Sequence, residues 1–212
     1  MEILPHDLQM YLEEHCDPEP TELQKINRET YLKVLQPHML SGHYQGRLLS
    51  MLSKMMQPKS ILEIGTFTGY ATVCLAEGLV EGGIIHTIEV NTELEEMLAQ
   101  HFKSTDVDKK ARQYFGHASQ IIVEIEENNF DIVFIDADKK NNLHYFQLIF
   151  DKVRSGGLII IDNVLWKGKV YGSESDTDTR SIRELNDHIA GDTRVEKLIL
   201  PVRDGVMIIR KK

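Results

Sequence analysis

The chain has 212 residues, 42% of them hydrophobic and 27% charged, which suits one soluble globular domain with a substantial core. Its 33 acidic and 24 basic residues leave a formal charge of −9, which disfavours polyanionic partners although a local basic patch stays open. No apolar run approaches the roughly 20 residues of a membrane span, so a membrane partner is not expected.

The opening stretch, "MEILPHDLQMYLEEHCDPEP", lacks a basic region followed by an apolar one, which argues against a secretory signal. Cys16 and Cys74 are too few and too distant for a disulfide scaffold or a metal knuckle, so a reducing cytoplasm is the expected location. Within a single domain over 1–212, residues 1–57 are predicted to be helical and 58–212 to form an α/β core. In "PTELQKINRETYLKVLQ", Thr21 and Gln24 make a capping-box pattern, followed by Leu23, Ile26, Tyr31, Val34 and Leu35 at roughly helical spacing. "GHYQGRLLSMLSKMMQ" carries Leu48, Leu49, Leu52, Met55 and Met56 as its apolar stripe. These stripes exceed what one small sheet edge needs and predict a homodimer through the N-terminal helices.

From Ser60 the pattern changes. "SILEIG", "IIHTIEV", "ARQYFG", "DIVFID" and "GLIIIDN" are β-rich runs, and helical segments separate them. This alternation argues for parallel βαβ units with right-handed crossovers. The finish differs: "VEKLILPV", a turn at Asp204-Gly205 and "VMIIRKK" form an antiparallel hairpin. The acidic stretch "GSESDTDT", residues 172–179, is expected to be a solvated loop.

Three strand ends carry candidate chemistry. In "LEIGTFTGYA", Gly65 and Gly69 allow close backbone approach to a ligand at the carboxyl edge of the sheet. The run is neither G-x-G-x-x-G nor a P-loop, so a pyrophosphate site is not indicated. Glu63 could face a ligand's ammonium group, and Glu89, at the end of the second strand, suits a ribose diol. In "GHASQ", small residues leave room for a flat ring beside Ser119 and Gln120; a plain N-cap by Ser119 is the bland alternative. "FIDADKK" and "GGLIIIDNVLWKG" end adjacent strands, about 4.8 Å apart, with Asp136, Asp162 and Asn163. Three oxygen ligands there suit Mg first, then Mn or Ca, and Lys139 would lie one turn beyond.

"EIGTFTGYA", "FDIVFIDADK" and "GGLIIIDNVLWKGKV" together resemble the metal-dependent class I S-adenosylmethionine O-methyltransferases, which include catechol and caffeoyl-CoA O-methyltransferases. The likeness runs from about Met39 to the C-terminus. It implies a Rossmann-like α/β fold: a seven-stranded, mostly parallel sheet with an antiparallel C-terminal hairpin, helices on both faces and an N-terminal helical extension. It further implies that Asp136, Asp162 and Asn163 bind the metal and that Lys139 is the general base. Gly65, Glu63 and Asp138 would surround the methionine part of S-adenosylmethionine, Glu89 its ribose, and Ala118, Ser119 and Gln120 its adenine. Met39 and Ser41 would close over the reactive end of the cofactor, with Asp136 nearby, and Trp166 would wall the acceptor pocket beside Lys139. Ala71 stands where some members carry Ser, leaving Thr72 or backbone amides to hold the methionine carboxylate. His43 receives no role beyond surface packing, and the 172–179 loop, if it borders the acceptor entrance, would repel coenzyme A phosphates.

The implied reaction is methyl transfer from a sulfonium to a small catechol-type or phenolic hydroxyl. Metal-assisted methylation of 5-hydroxyuridine in tRNA is the alternative, with Lys152, Arg154, Arg180 and Arg183 as possible RNA contacts. A receiver-like signalling module and a nicotinamide-binding module are weaker rivals.

Overall fold

The computed structural model describes residues 4–212. Helices α1 (His6–Glu14), α2 (Thr21–Lys33) and α3 (Gly42–Met56) precede strand β1 (Ser60–Ile64). Then follow α4 (Tyr70–Ala76), β2 (Ile84–Glu89), α5 (Glu95–Ser104), β3 (Ala111–Phe115), α6 (Ala118–Glu124), β4 (Phe130–Ile135), α7 (Asn142–Phe150) and β5 (Val153–Asp162). The chain finishes with α8 (Thr177–Gly191), β6 (Val195–Leu200) and β7 (Val206–Lys211). The sheet has seven strands in the order β3-β2-β1-β4-β5-β7-β6. Only β7 runs against its neighbours, β5 and β6, as the short Asp204-Gly205 turn requires.

Side-chain alternation along the central strands builds two core layers. Ile61, Ile132, Phe134, Leu158 and Ile160 face one layer with Leu98 and Phe102 of α5 and Leu75 of α4. Leu62, Ile64, Val133, Ile135, Ile159 and Ile161 face the other, against Phe146 and Ile149 of α7 and Leu185 and Ile189 of α8. Each fully buried Leu or Ile contributes about 1.5–3 kcal/mol, so burial on both faces fixes the strand positions.

Four local expectations change. Pro20, not Thr21, precedes α2 as its cap residue; Gln24 Nε2 instead donates to the Glu19 carbonyl at 2.8 Å, so no capping box forms. α6 starts two residues earlier than a Ser119 cap would allow, with His117 preceding it. The predicted 172–179 loop ends early, because Asp176 caps α8 by accepting from Thr179 N at 3.0 Å. Arg183 also fastens this loop, donating to the carbonyls of Lys169, Val170, Gly172 and Glu174. In α2 and α3, Leu23, Ile26 and Leu49 are buried as expected, whereas Tyr31 and Met55 are exposed, as is Leu35 beyond the end of α2.

The N-terminal helices join the core chiefly where α3 meets α4. A Cβ at Gly78 would lie 2.2 Å from the backbone of Ser53. Gly78→Ala is therefore expected to cost about 2–3 kcal/mol in urea denaturation; a loss below about 0.5 kcal/mol would contradict this account of the joint.

Candidate active site

The strand order reverses at β1, where the chain turns to β2 on one side and β4 on the other, and open α/β sheets bind ligands at such a point. One step past the paired Ile64 and Ile135 stand Gly65 and Asp136. Gly65 has φ +98°, and a Cβ there would lie 2.1 Å from the Asp136 carbonyl oxygen, so only glycine fits. A small cavity opens here, lined by Met39 and Ser41 before α3, by Gly65, Thr66, Phe67 and Ala71, and by Asp136.

Glu63 lies fully buried next to this turn. Thr72 Oγ1 and Thr87 Oγ1 each donate to its Oε2 at 2.5 Å, and Thr66, a cavity residue, bonds to Thr87 at 2.5 Å. Glu63 Oε1 has no partner among the described residues. Burial pushes the carboxyl up to about 8 against the opposing pull of the two threonines. Thr72 is thus committed to Glu63 and does not line the cavity, which removes it as a free holder of a methionine carboxylate.

Glu89 closes β2 and is tied to the same turn: its Oε2 accepts from Phe67 N at 2.6 Å and its Oε1 from Asn91 N at 2.8 Å. Ala118, Ser119 and Gln120 form the first turn of α6, which follows the Gly116 N–H bond to the Glu89 carbonyl at 2.9 Å. Asp138 accepts from Tyr145 OH at 2.7 Å and from Asn141 Nδ2 at 2.6 Å, which ties it to α7. Ala118, Ser119, Gln120, Glu89 and Asp138 all lie outside the lining of the small cavity.

The acidic cluster sits between β4 and β5. Ile135 pairs with Ile161, so Asp136 and Asp162 follow side by side. Lys139 Nζ donates to Asp136 Oδ1 at 3.1 Å. Asp162, 4% exposed, accepts from Gln45 Nε2 at 2.9 Å and from Asn163 N at 2.7 Å. Burial, then the negative charge of Asp136, push Asp162 up to about 6. Asn163 has φ +63°, a left-handed conformation that Asn tolerates better than most residues. Beyond it, Trp166 and Lys167 are also left-handed, at φ +45° and +55°, and Trp166 Nε1 is buried without a partner among the described residues. Strained backbone of this kind concentrates at functional sites.

Two carboxylates and an amide side chain are a hard-oxygen set that fits a divalent cation, whose charge would relieve the repulsion between the acids. Among the described residues no three His, Cys, Asp or Glu side chains group for metal binding. The sequence reading overlooked Gln45, although its position on the Leu48–Leu49–Leu52 face of α3 marks it as a polar residue needing a buried partner. Tyr145 carried no such signal. His43 has a structural role, donating from Nε2 to the Asp17 carbonyl at 2.7 Å.

A model of the O-methyltransferase family matches residues 13–212. The chain belongs to the O-methyltransferase family. Its reaction class is accordingly methyl transfer to oxygen. It is 34% identical to the caffeoyl-CoA O-methyltransferase of Medicago sativa, over 96% of this chain and 87% of that protein. Its fold is similar to that of an O-methyltransferase from Bacillus cereus in complex with SAH (TM-score 0.89, 29% identity, 97% of each chain). It is also similar to the O-methyltransferase TomG from Streptomyces achromogenes in complex with SAM (TM-score 0.89, 26% identity, 97% of this chain and 96% of that one). Both solved structures share the fold read from the sequence. No helix among the described residues is long and apolar enough to cross a membrane.

The raised Glu63 has a consequence for stability. The folded state keeps a proton that the unfolded chain loses near 4.5, so stability is fully present below that pH and is lost as pH rises towards about 8. Asp162, raised from 3.8 to about 6, adds to the loss in the same direction. The ligand-free protein is expected to melt lower at pH 8 than at pH 5, and Glu63→Gln should remove at least half of that slope in a calorimetric pH series. An unchanged slope in the variant would contradict this assignment.

Proposed function

We propose that this O-methyltransferase moves the methyl group of S-adenosylmethionine to a hydroxyl of a small catechol-type or phenolic acceptor with the help of a divalent cation. The observation that carries this reading is the pairing of Asp136 and Asp162 on adjacent strand ends, with Lys139 on one acid and Gln45 on the other. The SAH and SAM complexes of its structural neighbours and the caffeoyl-CoA acceptor named for its relatives support it.

Asp136, Asp162 and Asn163 would hold the cation, Mg in the first instance. When bound, such an ion supplies the charge that favours ionisation of a phenol, whose ordinary pKa of about 10 otherwise leaves it protonated. Lys139, once it has shed the ammonium proton it holds against Asp136, takes the phenolic proton at Nζ, and its place beside Asp136 fixes where that nitrogen stands. The acceptor oxygen then forms a bond to the methyl carbon as the carbon–sulfur bond breaks and its electron pair stays on sulfur. Gly65 admits the donor close to the backbone, and Met39 and Ser41 cover its reactive end. Glu63 serves the ammonium group, Glu89 the ribose diol, and Ala118, Ser119 and Gln120 the adenine. Asp138, held by Tyr145, belongs to the methionine side, and Trp166 to the acceptor wall.

The tRNA alternative loses ground in the side chains it needs. Lys152 Nζ donates to the Ile125 carbonyl at 2.6 Å, Arg154 Nε to Asp131 at 2.5 Å, and Arg183 to four backbone carbonyls. A homodimer through α2 and α3 belongs to the same proposal, supported by exposed Tyr31, Leu32, Leu35, Met51 and Met55. It predicts a dimer mass in light scattering at micromolar concentration; a monomer mass would refute it.

Labelled-methyl transfer to catechols, caffeoyl-CoA and bulk tRNA, each with and without EDTA, tests the reaction. Chelator-sensitive labelling of a small phenol is expected, whereas salt-sensitive labelling of tRNA alone would overturn the choice of acceptor. Lys139→Ala should lower kcat at least a hundredfold with a smaller change in acceptor KM; equal losses in both would count against its role as base.

A further inference from the structure

The turn between β6 and β7 does more than connect two strands. Arg203 lies in it at φ +48°, a left-handed backbone that a side chain rarely adopts, where glycine would be relaxed. Its guanidinium leaves the hairpin and reaches the segment before α3. There Nη1 donates to the carbonyls of Leu40 and Ser41, and Nη2 to that of His38 at 3.2 Å. Gly42, φ +76°, lies beside the same guanidinium. One planar, permanently charged group thus gathers three carbonyls from the four residues 38–41, a task that suits the fixed fork of arginine.

The anchor is firm. Gly205 N donates to the Val202 carbonyl at 2.8 Å and closes the turn. Val164 N donates to the Gly205 carbonyl at 3.0 Å and Leu165 N to that of Asp204 at 2.9 Å, while Lys167 N donates to Asp204 Oδ1. Leu165 packs so tightly on Gly205 that a Cβ there would meet it at 2.4 Å. The turn therefore grips the loop after Asn163 with its backbone and holds the 38–41 segment with a single side chain. That segment is a 3-10 turn over Pro37–Met39, with Met39 half exposed, followed by Leu40 and Ser41, which are buried, Leu40 within the core.

We propose that Arg203 is a positioning residue, a latch that holds residues 38–41 over the cofactor cavity and couples that cover to the loop carrying Asn163 and Trp166. This rests on the reading of the cavity as the S-adenosylmethionine site. The latch fixes Met39 and Ser41 before the donor arrives, so the ordering cost of closing the cover is met in folding rather than in binding. It touches no reacting atom.

The test uses the full chain and the variants Arg203→Met, Arg203→Lys and Arg203→Gly. In the ligand-free protein, Arg203→Met should speed amide hydrogen exchange at residues 38–43 at least tenfold and leave β1, β4 and β5 unchanged. S-adenosylhomocysteine should bind it about tenfold more weakly by calorimetry, and the KM for the methyl donor should rise more than kcat falls. Arg203→Lys, which keeps the charge but not the fork, should recover part of both losses. Arg203→Gly relaxes the backbone, so its melting temperature should equal or exceed the parent's while exchange and affinity suffer as in Arg203→Met. Unchanged exchange at 38–43, or an affinity loss that tracks melting temperature across all three variants, overturns the latch. If the parent binds no S-adenosylhomocysteine while exchange still responds to Arg203, the cavity reading fails and the latch stands as a conformational contact. If the parent binds it and Arg203→Met binds it equally well, the latch fails and the cavity reading survives.

Discussion

Asp136 and Asp162 stand one step beyond paired residues on two parallel strands, and no small movement can separate them, because the ladder below fixes the register. Two unit charges about 5 Å apart repel by roughly 3 kcal/mol at an effective dielectric of 20. Burial of Asp162 sharpens the conflict, and the surrounding groups answer it in part. Lys139 neutralises one acid, while Gln45 and the Asn163 N–H hydrogen-bond the other. None of them cancels the second negative charge, and this is the ground on which a divalent cation is proposed there.

The rest of the site follows from the strand ends around that pair. Gly65 brings β1 so close to Asp136 that the small cavity and the acidic cluster share a wall. Farther out, Glu63 and Glu89 fasten the β1–α4 turn from below, through threonine hydroxyls on one side and the Phe67 N–H on the other. Buried polar networks of this kind specify one arrangement when every member is satisfied. Here one atom, Glu63 Oε1, is left over without a partner among the described residues.

Much of this was legible in the chain because strands buried on both faces leave long apolar runs, so a charged residue at the end of one stands out. Ile132–Ile135 leading into Asp136, and Leu158–Ile161 leading into Asp162, carry the sheet and the acidic pair together. The short Asp204-Gly205 turn likewise marked the antiparallel hairpin. Helix α8 escaped notice because its core contacts, Ile182, Leu185 and Ile189, are sparse among polar residues and follow an acidic run. The capping box at Thr21 failed because Pro20 takes the cap position, making Thr21 the first helical residue, and Glu19 supplies a backbone acceptor to Gln24. Gln45 and Arg203 act through contacts more than a hundred residues away in sequence, which no local pattern reports.

Manganese binding followed by electron paramagnetic resonance, without donor or acceptor, tests the shared-cation claim most directly. The account predicts one tightly bound Mn per chain in the parent, lost in Asp162→Asn while the fold, judged by circular dichroism, is kept. A parent that leaves all its Mn free, or a variant that binds it equally well, would contradict the claim.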